Sequence, residues 1–231
     1  MASSLHEVSR IIGPELSKEY MFGALDTILK EPSDALKLAA ISHLSEFVQL
    51  FERGTRENLI DVFLVLQKDP KKWRVRFEIA HQLESLSQIY ETETVFTYIF
   101  PISLKLCNDN VSEVRHEAAR QMYHVIHRLG DSAMHQEMAL ESIKGYGLSE
   151  KHIQRETFAR MLRNLYRLPT FQTTFMELVM ELARDKVVIV RIALAISFKE
   201  ILEDCPENVG NFEELLEIFR KDDPDVAEYF L

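Results

Sequence analysis

The sequence predicts an all-α fold, a right-handed α–α superhelix built from about five and a half helical hairpins. Three observations lead there. Leu, Ala, Glu, Lys, Arg and Met, all good helix formers, dominate the chain. Only 7 Gly and 7 Pro occur in 231 residues, too few for the many tight turns of an all-β protein. A landmark recurs along most of the chain at a nearly constant interval. Apolar residues also cover too many sides of each predicted hairpin for it to stand alone in water, so neighbouring hairpins must stack on one another.

The landmark is a Val-Arg pair, or a variant of it, in the first turn of a hairpin's second helix. Val75-Arg76, Val114-Arg115 and Val190-Arg191 are the clear copies. Weaker ones place Lys37 after Ala35-Leu36, Arg155 after Ile153-Gln154 and Glu228 after Val226-Ala227. The markers Lys37, Arg76, Arg115, Arg155, Arg191 and Glu228 stand 39, 39, 40, 36 and 37 residues apart. That interval lies at or slightly below the roughly 40–47 residues of HEAT and armadillo units, and above the roughly 33–34 of ankyrin and tetratricopeptide units.

The hairpins follow in order. The first, 14–51, pairs a helix over 14–30 with one over 34–51; Pro32 ends the former, and Ser33 or Asp34 can cap the latter. The second, 55–90, has helices over 55–67 and 72–90, parted by Asp69-Pro70, where the proline ring removes a backbone donor. The third, 92–129, turns at Asn108-Asp109-Asn110 between helices over 92–107 and 112–129; these short polar side chains satisfy a turn's backbone locally. Gly130-Asp131-Ser132 separates it from the fourth, 131–166, whose helices over 131–144 and 150–166 are expected to meet at Gly145-Tyr146-Gly147. The fifth, 170–203, has helices over 170–183 and 187–203. The sixth, 211–231, has a helix over 211–220, a turn at Asp222-Asp223-Pro224-Asp225, and a second helix from Asp225 that reads as cut short at Leu231. All six are read as one domain over 1–231. Inward-facing positions follow helical spacing: Val114, Ala118, Met122, Val125, Ile126 and Leu129 in the third hairpin, and Val190, Ala193, Leu194, Ile196 and Ile201 in the fifth.

The marker arginine has a structural reading. From a fixed point in the second helix it can reach an acidic or carbonyl group in the turn of its own or the adjacent hairpin. Such a ladder would set the stacking angle. Arg76, Arg115, Arg155 and Arg191 are placed in this ladder in preference to direct ligand contact.

Lys72-Trp73-Arg74-Val75-Arg76-Phe77, followed by Ile79-Ala80, closely resembles a motif of the HEAT-repeat scaffold subunit of protein phosphatase 2A; the related regulatory subunit 1 of protein phosphatase 4 has similar repeats. The run from Cys107 to Ala119, Ala183-Arg184-Asp185 with Val190-Arg191, and the closing stretch from Asp223 to Phe230 are similar to the same family, so the resemblance covers about 55–231. It implies that the turns between paired helices line one ridge on which other proteins dock. It further implies that C-terminal repeats hold a catalytic phosphatase subunit and N-terminal ones a regulatory subunit. Carried over residue by residue, the ridge comprises Lys71, Lys72, Trp73 and Arg74, then Asn108, Asp109, Asn110 and Val111, then Arg184, Asp185, Lys186 and Val187. Two features depart from the pattern. Five and a half repeats are far fewer than those scaffolds carry, and the fourth repeat has Gly145-Tyr146-Gly147-Leu148 for a polar turn and Ile153-Gln154-Arg155 for Val-Arg.

Charge and motifs exclude other classes. A net charge of −10 opposes binding to nucleic-acid backbones, which relies on clustered Lys and Arg, and to anionic membranes. No apolar run is long enough for a membrane-spanning helix, and Met1-Ala2-Ser3-Ser4-Leu5-His6 does not open a secretory signal. The expected home is the cytoplasm, with the nucleus left open. Cys107 and Cys205 read as two small apolar residues in a reducing compartment. Neither a metal nor a cofactor is expected: His116, His124 and His127 lie near one another on one helix but are joined by no Cys or carboxylate at ligand spacing. Phosphate-binding glycine loops and nucleophile elbows are absent from the sequence.

Trp73, the single Trp, is either a contact anchor beside Lys71, Lys72, Arg74 and Arg76 or a residue packed between turns. Lys151, Arg155, Arg160, Arg163 and Arg167 crowd the fourth hairpin, whereas from Glu200 onward 11 acidic residues face only Arg220 and Lys221. These form either two steering patches or a mixed, solvated surface. The expected function is a non-catalytic protein-binding scaffold or regulatory subunit of a serine/threonine phosphatase complex. The alternatives are a HEAT adaptor in transport or translation, and a HEAT-like DNA glycosylase, which the acidic charge and single Trp oppose.

Overall fold

The computed structural model describes residues 2–31 and 33–230. The helix stop expected at Pro32 and the end of the sixth hairpin at Leu231 therefore lie outside the described residues. Among these residues the regular structure is helical with no strand, as an all-α helical-repeat fold requires. The chain gathers into two compact units, Met1–Ala118 and Ala119–Leu231.

The first unit opens with α1 (Leu5–Leu16), which bends at Gly13. Gly13 has φ +84° and ψ 168°, an extended positive-φ conformation that breaks the helix and that glycine adopts without steric cost. Pro14 then begins the next turn, where its missing amide is not needed. The helix before Gly13, about two turns long, is additional to the expected first hairpin. Ser17 Oγ donates to Gly13 O at 2.6 Å, tying the bend. The chain continues through a wide turn at Ser17–Met21 into α2 (Phe22–Lys30).

The second helix of the first hairpin, expected over 34–51, breaks into α3 (Asp34–Ile41) and α4 (Leu44–Gln49). After α5 (Arg53–Leu66), the second hairpin's second helix breaks likewise, into α6 (Trp73–His81) and α7 (Leu83–Ile89). Gln82 occupies this second break and repairs the first. Its Nε2 donates to Ile41 O at 2.6 Å, and its Oε1 accepts from Ser45 N at 2.8 Å. These are the carbonyl and amide that the interruption at Ser42-His43 would otherwise leave buried and unmet. α8 (Thr92–Thr94) and α9 (Phe100–Cys107) are joined by a widened turn over Val95–Ile99. Pro101 has no amide to return to that turn, which accounts for the widening. α10 (Ser112–Leu129) is unbroken and crosses the division between the units. Val114, Ala118, Met122, Val125, Ile126 and Leu129, its expected inner face, are all fully buried.

The second unit holds α11 (Ala133–Gly147), α12 (His152–Leu165), α13 (Phe171–Leu182) and α14 (Val188–Asp204). A 3₁₀ segment, Pro206–Phe212, leads to α15 (Glu213–Arg220) and α16 (Pro224–Ala227). α12 packs along α14 and against α11. Phe158, Phe175, Phe198 and Phe219 fill the centre, with Phe158 edge-on to Phe175 at 5.7 Å. Of the expected inner residues of α14, Ile196 stays partly exposed and the rest are buried.

The fourth turn is a correction. Gly145-Tyr146-Gly147 does not form it; α11 runs through all three residues and the turn begins at Leu148. Gly147 is small because of packing. A Cβ there would lie 2.6 Å from Leu178 Cδ2 and 3.0 Å from the Phe158 ring.

Candidate functional site

Three of the turns between paired helices are built on an Asp that holds the amide two residues ahead. Asp69 Oδ1 accepts from Lys71 N (2.9 Å), Asp109 Oδ1 from Val111 N (2.9 Å) and Asp185 Oδ1 from Val187 N (2.8 Å). At the fourth turn a hydroxyl does this work, as Ser149 Oγ accepts from Lys151 N at 3.1 Å.

The marker arginine follows six or seven residues later, one turn into the second helix. In each case Nη1 donates to the backbone carbonyl of the arginine's own turn: Arg76 to Asp69 (2.5 Å), Arg115 to Asp109 (3.0 Å), Arg155 to Ser149 (2.8 Å) and Arg191 to Asp185 (2.7 Å). In Arg76, Arg155 and Arg191, Nε and Nη2 then grip the carboxylate of the following turn in a two-point fork, whereas the Arg115 Nε makes no hydrogen bond among the described residues. Arg76 holds Asp109 at 2.5 and 3.0 Å within the first unit. Within the second, Arg155 holds Asp185 at 2.5 and 3.0 Å, and Arg191 holds Asp222 at 2.7 and 2.8 Å.

None of these six side chains is more than 13% exposed, so the pairs are shielded from solvent screening. Burial pushes the Asp185 and Asp222 carboxyls up, but the bonds and charges of Arg155 and Arg191, together with the amides of Val187 and Asp223, outweigh it and hold both below the usual carboxylate range. The same hydrogen bonds raise the two guanidiniums.

The ladder decides how the ridge residues sit. Lys71, Arg74, Asn108, Asn110, Arg184 and Lys186 are exposed; Lys72, Trp73, Asp109, Val111, Asp185 and Val187 are half-buried. Asp109 and Asp185 direct their carboxylates into the ladder, away from a docking partner. Lys71 to Arg74 and Asn108 to Val111 lie on turns that Arg76 joins. Arg184 to Val187 lies in the second unit on the turn that Arg155 and Arg191 both grip. Trp73 is half-buried. Its ring stacks under the Arg74 guanidinium, 4.4 Å away, and it edges a shallow cleft of about 100 Å³ that Asp34, Leu38 and Lys72 also line.

Sequence reasoning missed an apolar strip. Leu148, Ile153, Val188 and Ile189 are 67%, 42%, 37% and 41% exposed on the fourth and fifth turns of the second unit. Aligning the markers would have found part of it. Ile153 and Ile189 stand two residues before Arg155 and Arg191, where Arg74 and Glu113 stand before Arg76 and Arg115.

Of the basic cluster of the fourth hairpin, Lys151 stays exposed but the four arginines are engaged by carboxylates. Arg155 is in the ladder and Arg160 Nε donates to Glu156 (2.9 Å). Arg163 bonds Glu200 and Asp204 of α14 (both 2.8 Å), and Arg167 lies 3.9 Å from Asp204. Parts of the basic and acidic stretches that looked separate along the chain thus meet across α12 and α14, through Arg163 and Arg167 on Glu200 and Asp204.

A histidine cluster appears elsewhere than at His116, His124 and His127. His6 of α1, His43 and Glu46 of α4 meet, with His43 Nδ1 2.7 Å and His6 Nε2 3.6 Å from the Glu46 carboxylate. The hydrogen bond from His43 lowers the Glu46 carboxyl. The two rings stack at 4.4 Å with planes only 22° apart, so no ion can lie in the plane of both. Arg10 also reaches Glu46, at 3.7 Å. The arrangement serves to tie α1 to α4. Cys107 is buried, which pushes its thiol up, and Cys205 Sγ contacts Tyr166 Oη at 3.1 Å.

No protein-family model matches the chain. It is 27% identical over 213 residues to the serine/threonine-protein phosphatase 4 regulatory subunit 1 of Rattus norvegicus, and equally so to those of Homo sapiens and Mus musculus. Each match covers 87% of this chain, and the chain spans 22% of the length of these relatives. The similarity seen in the Trp73 and Val-Arg motifs therefore extends through most of the hairpin array, and the chain is a homologue of part of that regulatory subunit.

Proposed function

We propose that this chain is a non-catalytic scaffold or regulatory module of a serine/threonine phosphatase complex, holding a phosphatase catalytic subunit and a second regulatory subunit. The observation that carries the proposal is the likeness to a phosphatase 4 regulatory subunit over 87% of the chain. The geometry suits the role. Forked Arg–Asp pairs hold successive turns at set spacings, so exposed residues on those turns form a surface that a folded partner can read without ordering the scaffold first. Within each unit the ridge residues, Lys71 to Val111 in the first and Arg184 to Val187 in the second, supply such a surface, and a few anchors such as Trp73 and Arg74 supply most of the affinity. No helix among the described residues is long and apolar enough to cross a membrane, and the module works in the cytoplasm, with the nucleus open to it. A DNA-glycosylase role loses ground because the arginines of α12 are engaged by carboxylates.

Co-purification with the catalytic subunit of protein phosphatase 4 tests the proposal. The two chains should elute as one complex. Trp73→Ala with Arg74→Ala should weaken that complex while leaving helicity and the melting midpoint nearly unchanged. A well-folded wild-type chain that fails to bind the catalytic subunit would refute it.

A further inference from the structure

We infer that the edge formed by the fourth and fifth turns of the second unit is a docking site for an acidic protein segment bearing apolar side chains. The inference rests on the scaffold reading only in taking the occupant to be a protein. Four large apolar side chains, Leu148, Ile153, Val188 and Ile189, stand in solvent there. Ile153 and Ile189 hold equivalent positions, each two residues before a ladder arginine, at the starts of α12 and α14, which pack side by side. The Arg155–Asp185 fork joins the two turns, so the strip is held by a buried pair and not by loop conformation. A folded protein gains nothing by leaving such residues in water; exposed apolar clusters mark contact surfaces.

The charges around the strip select the occupant. Lys151, Arg184 and Lys186 flank it and are exposed, and Lys151 and Lys186 form no ion pair among the described residues. Against them stand exposed Glu150 and Glu214, the latter 3.9 Å from Arg184, while the Asp185 carboxylate is held by Arg155. The edge is thus net basic in a chain whose total charge is −10. An acidic segment is attracted to this edge and repelled by most of the remaining surface, which gives both orientation and selectivity. The corresponding positions of the first unit, Arg74 and Glu113, offer no apolar seat, so the strip is particular to the second unit.

Fluorescence anisotropy with three labelled peptides tests this: one alternating Leu and Asp, one alternating Leu and Lys, and one alternating Ser and Asp. The Leu/Asp peptide should bind the full chain and the other two should not. Ile153→Asn with Ile189→Asn should weaken that binding about tenfold or more. Lys151→Glu with Lys186→Glu should weaken it most at low salt, and Trp73→Ala should leave it unchanged. Equal binding of the Leu/Lys peptide, or full binding by the Ile153→Asn, Ile189→Asn variant, would overturn the inference. So would a wild-type dimer that this variant converts to a monomer, because the edge would then belong to a second copy. Capture of the phosphatase 4 catalytic subunit without any peptide binding would sink the docking edge and leave the scaffold role standing. Peptide binding without capture would do the reverse.

Discussion

The second helices of the first two hairpins are fractured, at Ser42-His43 and at Gln82, whereas α12 and α14 of the second unit run through without interruption. Both regions nevertheless carry the same forked arginine, Arg76 on Asp109 in one and Arg155 on Asp185 in the other. Stacking of neighbouring hairpins is therefore set at the turns and does not depend on how straight the helices behind them are. What differs with position is the edge outside the ladder. It is charged and aromatic at Lys71 to Arg74, and apolar at Ile153 and Ile189. A common internal frame with a variable rim is what a binding array needs, since the rim can change partner without disturbing the stack.

The largest expected effect tests whether the frame is common to both. Arg155→Met leaves the Asp185 carboxylate buried without its guanidinium and should cost about 3 kcal/mol, read from chemical denaturation. Adding Asp185→Asn should recover part of that loss, since the buried charge is gone and the turn bond to Val187 N can persist. Arg76→Met should cost a similar amount; a much smaller loss would show that the two ladders do different jobs.

Next in size is the fracture. Gln82→Leu removes the bonds to Ile41 O and Ser45 N and should cost about 2 kcal/mol. Amide exchange at Ser45 should quicken while amides of α12 and α14 are unaffected; unchanged exchange at Ser45 would remove Gln82 from this role. The smallest effect is acid sensitivity. The folded Asp185 and Asp222 carboxyls sit below their unfolded value of about 3.9. Their contribution is therefore present above that pH and lost as pH falls through the lower folded values. Denaturation midpoints should drop below about pH 4, and less so in the Arg155→Met, Asp185→Asn variant.

The repeat and its ladder were legible because Val-Arg pairs and turn aspartates recur at one interval, and a single helical register relates them. The breaks were not, because the group that makes the first one tolerable is Gln82, some forty residues downstream, and no local pattern reports it. Gly145 and Gly147 misled for a related reason: glycine signals a turn locally, but Gly147 answers to the close approach of Leu178 and Phe158. The charges of Arg163 and Glu200 were readable singly. Their pairing required knowing how α12 and α14 are rotated against each other. The meeting of His6 with His43 and Glu46 was likewise a product of tertiary packing, although the His43–Glu46 spacing was visible.

Each fork points one way along the chain, from an arginine to the aspartate that comes after it. Shortening the second unit from its two ends is therefore not equivalent. Removing α12 would leave Asp185 still bonded to the Val187 amide. Removing everything after Asp204 would strip Arg191 of Asp222 and Asp223, stranding a largely enclosed cation whose remaining bond is to a carbonyl. Such a vectorial architecture leaves a carboxylate at a leading cut and a guanidinium at a trailing one, and new hairpins are most readily grafted where an arginine is already waiting for a carboxylate.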